Sequence, residues 1–96
     1  MKDDLPPSLD DWLLVARVAE QASLVLAAQR LGVSHATAFR RLGALEQRLG
    51  VRLFERRAGR YAATAAGEAL ADAGRAMQAQ ADAALLRVQE IGRAHV

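Results

Sequence analysis

Eight of the thirteen basic side chains crowd into one third of the chain. Arg30, Arg40, Arg41, Arg48, Arg52, Arg56, Arg57 and Arg60 face only Glu46 and Glu55 there, an excess of six positive charges between residues 30 and 60. The remainder holds five basic and nine acidic residues, so the overall charge of +2 conceals a segregation into +6 and −4. All the basic residues but Lys2 are arginine, whose planar fork suits phosphate oxygens and guanine edges. A genome rich in G and C would favour arginine everywhere, but that leaves its gathering in the middle unexplained. The chemistry on offer is recognition of a polyanion.

Other chemistries lack their parts. Without Cys there is no disulfide, thiolate zinc site or Cys nucleophile, which fits a cytoplasmic location. His35 and His95 are far apart in sequence, and no carboxylate pair, phosphate-binding Gly loop or metal-ligand spacing is present. An enzyme, a metal site and a cofactor are therefore not expected. The opening MKDDLPP is acidic and lacks an apolar export region, and no stretch approaches the roughly 18 apolar residues of a membrane span.

The elements that must position the arginines follow from periodicity. In 96 residues there is room for one domain, and a chain 52% apolar with only Trp12, Phe39, Phe54 and Tyr61 as aromatics predicts a fine-grained helical core rather than a β-sandwich. Residues 1–7 read as a disordered leader. Ser8 with Asp11 predicts a capping box, and Leu9, Trp12, Leu13, Ala16 and Ala19 mark the apolar face of a first helix. Ser23 caps a short second helix with Leu24, Ala27, Ala28 and Leu31 inside, stopped by Gly32. Ser34 caps a third to about Leu49, with Ala38, Leu42, Leu45 and Leu49 inside. Two helices joined by Gly32, Val33 and Ser34, with small Ala28 at their contact, have helix-turn-helix geometry.

Beyond Gly50, Val51 and Leu53, then Tyr61 and Ala63, alternate around the turn Arg57-Ala58-Gly59-Arg60, predicting a β-hairpin wing. Thr64 caps a long last helix. Ala66, Leu70, Ala73, Met77, Ala81, Ala84, Val88 and Ile91 recur along it at a mean spacing near 3.6, and a stripe of that length predicts a seam with a second copy. The expected architecture is mainly α: a winged helix-turn-helix over residues 8–64, a linker and dimerisation helix over 65–92, and a tail at 93–96.

Residues 23–67, SLVLAAQRLGVSHATAFRRLGALEQRLGVRLFERRAGRYAATAAG, resemble the DNA-binding domain of LysR-type transcriptional regulators. Ala27, Ala28, Leu31, Val33, Ser34, Leu45, Glu46, Leu49, Gly50, Leu53, Phe54, Arg56, Thr64, Ala66 and Gly67 fall in register with that family's pattern without a gap. With the first and last helices the resemblance covers about residues 8–91. Leu24 stands where Phe is usual, His35 and Ala36 replace Gln-Pro, Phe39 replaces Ser, and Ala63 replaces Leu. These departures lie partly on the base-reading surface, so a target sequence does not carry over.

The resemblance implies sequence-specific binding of double-stranded DNA by a homodimer at an inverted-repeat operator. With Ala38 inward, a 100° step per residue turns Ala36, Arg40, Gly43 and Gln47 outward. Base contacts are expected from His35, Ala36, Phe39 and Arg40. Backbone contacts are expected from Ser23, Ser34, Thr37 and Arg41, and from the wing's Arg56, Arg57 and Arg60, any of which has Glu55 as a competing partner. Phe39 has two readings, packing on thymine methyls or covering the wing, and the family's base-facing residue at that position favours the first. Family members continue into a two-lobed sensor domain, so a small-molecule effector is expected only through a C-terminal domain absent here. The rival readings are a helical interaction or scaffold module that ignores DNA, and a winged-helix regulator of the molybdate-responsive type.

Overall fold

The elements run α1 (Leu9–Gln21), α2 (Leu24–Leu31), α3 (His35–Leu49), β1 (Phe54–Arg57), β2 (Arg60–Ala63) and α4 (Ala65–Ala94). They come from a computed structural model that describes residues 6–95. Most of the expected leader and the last residue of the expected tail lie outside the described residues.

Each helix starts on a hydroxyl cap. At α1 the Asp11 amide donates to Ser8 Oγ (3.2 Å) while the Ser8 amide donates to Asp11 Oδ2 (2.9 Å), the reciprocal box with Asp in the usual Glu place. Ser23 accepts from the Leu26 amide, Ser34 from that of Thr37 and Thr64 from that of Gly67, each at 3.1 Å. α2 and α3 end on Gly32 and Gly50, both at φ 71°. α1 instead ends on Ala22 in the same left-handed region, at φ 53°.

The core gathers Leu14, Val15 and Val18 of α1, Leu24, Ala27 and Ala28 of α2, Ala38, Leu42 and Leu45 of α3, then Leu53, Phe54 and Ala71. This corrects the inward face expected for α1. Of Leu9, Trp12, Leu13, Ala16 and Ala19 only Ala16 is buried, and Leu9 is 58% exposed. α1 packs against α2, α3 and α4 together, so its buried band is wide and centres on Leu14, Val15 and Val18, a choice that periodicity alone leaves open. Leu49 is likewise not an inner residue. It is exposed, because the last turn of α3 has run past the core.

The hairpin turns through Ala58 and Gly59, at φ 51° and 77°, the two positive angles of the turn whose twist suits paired strands. Pairing is antiparallel, Phe54 with Ala63 through Arg57 with Arg60. Val51, expected in the first strand, is exposed and outside it. The strand begins later because Glu46 Oε2 accepts from the Leu53 and Phe54 amides, at 2.8 and 3.4 Å, and anchors the chain there. The Tyr61 amide donates to the Ala22 carbonyl (3.0 Å), tying the wing to the α1–α2 junction.

α4 is divided. Gly67, Ala71 and Gly74 are buried on its inner side. A Cβ on Gly67 would sit 2.0 Å from the Leu53 carbonyl oxygen, and one on Gly74 would sit 2.5 Å from that of Trp12, so the first three turns lie backbone against backbone on the domain. Ala66 and Leu70, expected in the seam, pack on this chain's own core. From Ala79 to His95 every residue is exposed, including Leu85, Leu86, Val88 and Ile91. The helix also continues to Ala94, so the first two residues of the expected tail are helical.

Candidate nucleic-acid interface

α3 offers one side to solvent because its other side is committed. Ala38, Leu42 and Leu45 are buried, which leaves Ala36, Phe39, Arg40, Gly43 and Gln47 exposed, with Arg41 beside them. His35 is exposed at the helix tip, its ring centroid 6.5 Å from that of Phe39. Among the described residues, Arg40, Arg41 and Arg60 have no ion-pair or hydrogen-bond partner. These guanidiniums therefore stand unpaired, two on α3 and one on the wing.

The cap residues are partly engaged. The Ser34 and Thr37 hydroxyls are hydrogen-bonded to each other (3.0 Å) while Ser34 Oγ accepts from the Thr37 amide. Ser23, half-buried, holds the Leu26 amide. On the wing, Arg57 pairs with Glu55 at 3.3 Å, both side chains more than half exposed, and such a pair is worth little in water. Arg56 is held differently. Its guanidinium lies 4.8 Å from the Tyr61 ring centroid and 6.0 Å from that of Phe39, and it donates to the Tyr61 hydroxyl. Between α3 and the wing lies an open cleft of about 300 Å³, with Phe39, Glu46, Arg52, Arg56 and Tyr61 on its walls.

Not every arginine of the basic band faces outward. Arg48 donates to the Pro6 carbonyl (3.2 Å) and lies 3.7 Å from Asp11, bracing the end of α3 against the start of α1. Arg52 lends its carbonyl to the Thr64 hydroxyl (2.7 Å), which joins the approach to the wing to the start of α4. Glu46, Arg48 and Thr64 thus hold the surface in shape. Nothing in charge or periodicity distinguishes Arg48 from Arg41; only its position near Asp11 in the folded chain does.

A sequence profile of bacterial regulatory helix-turn-helix proteins of the lysR family matches residues 9–68. The chain belongs to this family. By that membership its winged helix-turn-helix is a DNA-binding module of transcription regulation. The chain is 42% identical over 59 residues to an HTH-type transcriptional regulator of Xanthomonas campestris pv. campestris (strain 8004), a match covering 62% of this chain and 17% of the relative. It is 45% identical over 62 residues to a probable nitrogen assimilation transcriptional activator of Synechococcus elongatus, covering 65% and 20% respectively. The chain therefore spans about a fifth of the length of these relatives. The crystal structure of the CbnR_DBD-DNA complex superposes with a TM-score of 0.71 at 31% identity, covering 90% of this chain and 99% of that one. Among the described residues no helix is long and apolar enough to cross a membrane.

Proposed function

We propose that the chain binds double-stranded DNA in a sequence-specific manner as a homodimer and so regulates transcription. The observation that carries this reading is Arg40: exposed and unpartnered among the described residues, it stands on the open side of a helix whose opposite side is locked into the core. A recognition helix enters the major groove with that side, and an Arg there meets guanine O6 and N7 with two hydrogen bonds. His35 and Ala36 flank the reading position. In this reading Arg41, Thr37 and the first-turn amides of α2 and α3 contact phosphates, and Arg57 and Arg60 the neighbouring backbone or minor groove; their exposure supports it for the arginines.

The exposed apolar half of α4 supports dimerisation, since Leu85, Leu86, Val88 and Ile91 have no cover among the described residues. A two-fold pair implies an inverted-repeat operator. In a longer protein, effector sensing belongs to a further domain after α4.

Selection of bound duplexes from a random pool, followed by anisotropy titration, tests the reading. The chain is expected to enrich one motif, with affinity falling about 0.9 log units per log unit of salt for each phosphate neutralised. Arg40→Ala is expected to cost about 1–3 kcal/mol on the selected site and to relax one base position. Equal, negligible affinity for all duplexes at low salt overturns it, as does indifference to Arg40→Ala, which is the behaviour of a protein-binding scaffold.

A further inference from the structure

Phe39 is a large apolar side chain left 56% exposed on the reading side of α3, where the core makes no use of it. Its aromatic neighbours are His35, one turn earlier, and the wing. We infer that Phe39 acts as a positioning residue: it clamps the Arg56 guanidinium and so fixes the wing relative to the recognition helix, rather than reading a base. This deepens the DNA-binding reading and rests on it.

The clamp is continuous from core to surface. Phe54 is buried, and Tyr61 meets it edge-on, with ring centroids 6.1 Å apart and planes at 68°. Tyr61 is the cross-strand partner of Arg56 and accepts a hydrogen bond from its guanidinium on the phenol oxygen. Phe39 reaches the same guanidinium from α3, at 6.0 Å. A cation within about 6 Å of a ring is attracted to its face, and a flat guanidinium held by two rings loses much of the rotamer freedom it would otherwise lose on binding. Tyr61 is also fastened through its amide to Ala22, so its end of the clamp is fixed. Glu46 of α3 already holds the base of the wing through the Leu53 and Phe54 amides; what Phe39 adds is a second link to α3 at the Arg56 side chain, nearer the reading surface.

Two measurements on the purified chain test this. In NMR spectra of the DNA-free protein, the Arg56 side-chain signals are expected to carry a ring-current shift that Phe39→Ala reduces and Phe39→Tyr retains. This arm stands whether or not DNA binds. In titrations with the selected duplex, Phe39→Ala and Arg56→Ala are expected to weaken binding non-additively, Phe39→Ala by about two- to fivefold and nearly uniformly across single-base operator variants, matching a cation–π contact at an exposed site. Because the Tyr61 ring at 4.8 Å shifts Arg56 by itself, an Arg56 shift that Phe39→Ala leaves unchanged overturns the clamp, as does an unshifted Arg56 in the free wild type. So does a Phe39→Ala that alters preference at one base pair and adds independently to Arg56→Ala, because that marks a base reader. Wild-type failure to bind any duplex, with an Arg56 shift that Phe39→Ala reduces, sinks the DNA-binding reading and the clamp's part in it, while leaving the contact established.

Discussion

Gly67 and Gly43 both lie inside helices, yet their surroundings assign them opposite values. The position of a Cβ on Gly67 is already filled by the Leu53 carbonyl, whereas one on Gly43 would meet nothing within 4 Å. Gly67→Ala should therefore cost about 1–3 kcal/mol, the range of overpacking. Gly43→Ala should gain about 0.5–1 kcal/mol from helix propensity. Urea denaturation of the two variants checks the pair. At this scale the sequence was only partly legible. The caps Ser8, Ser23, Ser34 and Thr64 could be read directly, because a hydroxyl before an apolar run has one good local use. Gly74 and Arg48 could not: what fixes their roles, the Trp12 carbonyl and Asp11, arrives from about 60 and 37 positions away in sequence.

Among elements, the junction from α1 to α2 carries an avoidable strain. Ala22 holds a left-handed φ of 53° with no glycine to ease it, while its carbonyl receives the Tyr61 amide. Ala22→Gly should stabilise the domain by a few tenths to about 1 kcal/mol, relief of the left-handed strain outweighing the extra freedom of the unfolded chain. Thermal unfolding followed by circular dichroism reads the shift, and a lower midpoint would mean that the Ala22 methyl packs usefully. The helix-turn-helix itself was visible beforehand because Gly32 and Ser34 bracket a turn with a single residue between them. The inward face of α1 was not, since a helix with neighbours on several sides has more apolar positions than one stripe needs, and contacts with α4 decide among them. The wing's starting point was equally hidden, being set by the Glu46 carboxylate rather than by alternation along the strand.

For the molecule as a whole, the division of α4 gives its first turns to stability and, on the proposed reading, leaves its second half to assembly. Leu70 and Ala71 serve the core, while Val88 and Ile91 touch nothing of it. Replacing both Val88 and Ile91 by Glu should leave the unfolding midpoint of the isolated domain nearly unchanged. It should weaken self-association by roughly two orders of magnitude, from about 3 kcal/mol of lost apolar burial. Sedimentation equilibrium measures this, and an unchanged dimer would place the seam elsewhere. Sequence periodicity runs unbroken from Ala66 to Ile91 and does not mark where α4 leaves the core, because apolar residues at helical spacing suit a core face and a seam alike.

The close seating of α4 at Gly67 and Gly74 also has a mechanical side. Past Gln78 about 16 residues project with every one exposed among the described residues, an arm of about 24 Å. A pivot of about 10° at the seated end sweeps the free tip through about 4 Å, given that length. Since the seated end rests on the backbone of Leu53 and of Trp12 in α1 rather than on pliable side chains, torque applied at the tip should reach the domain with little slack.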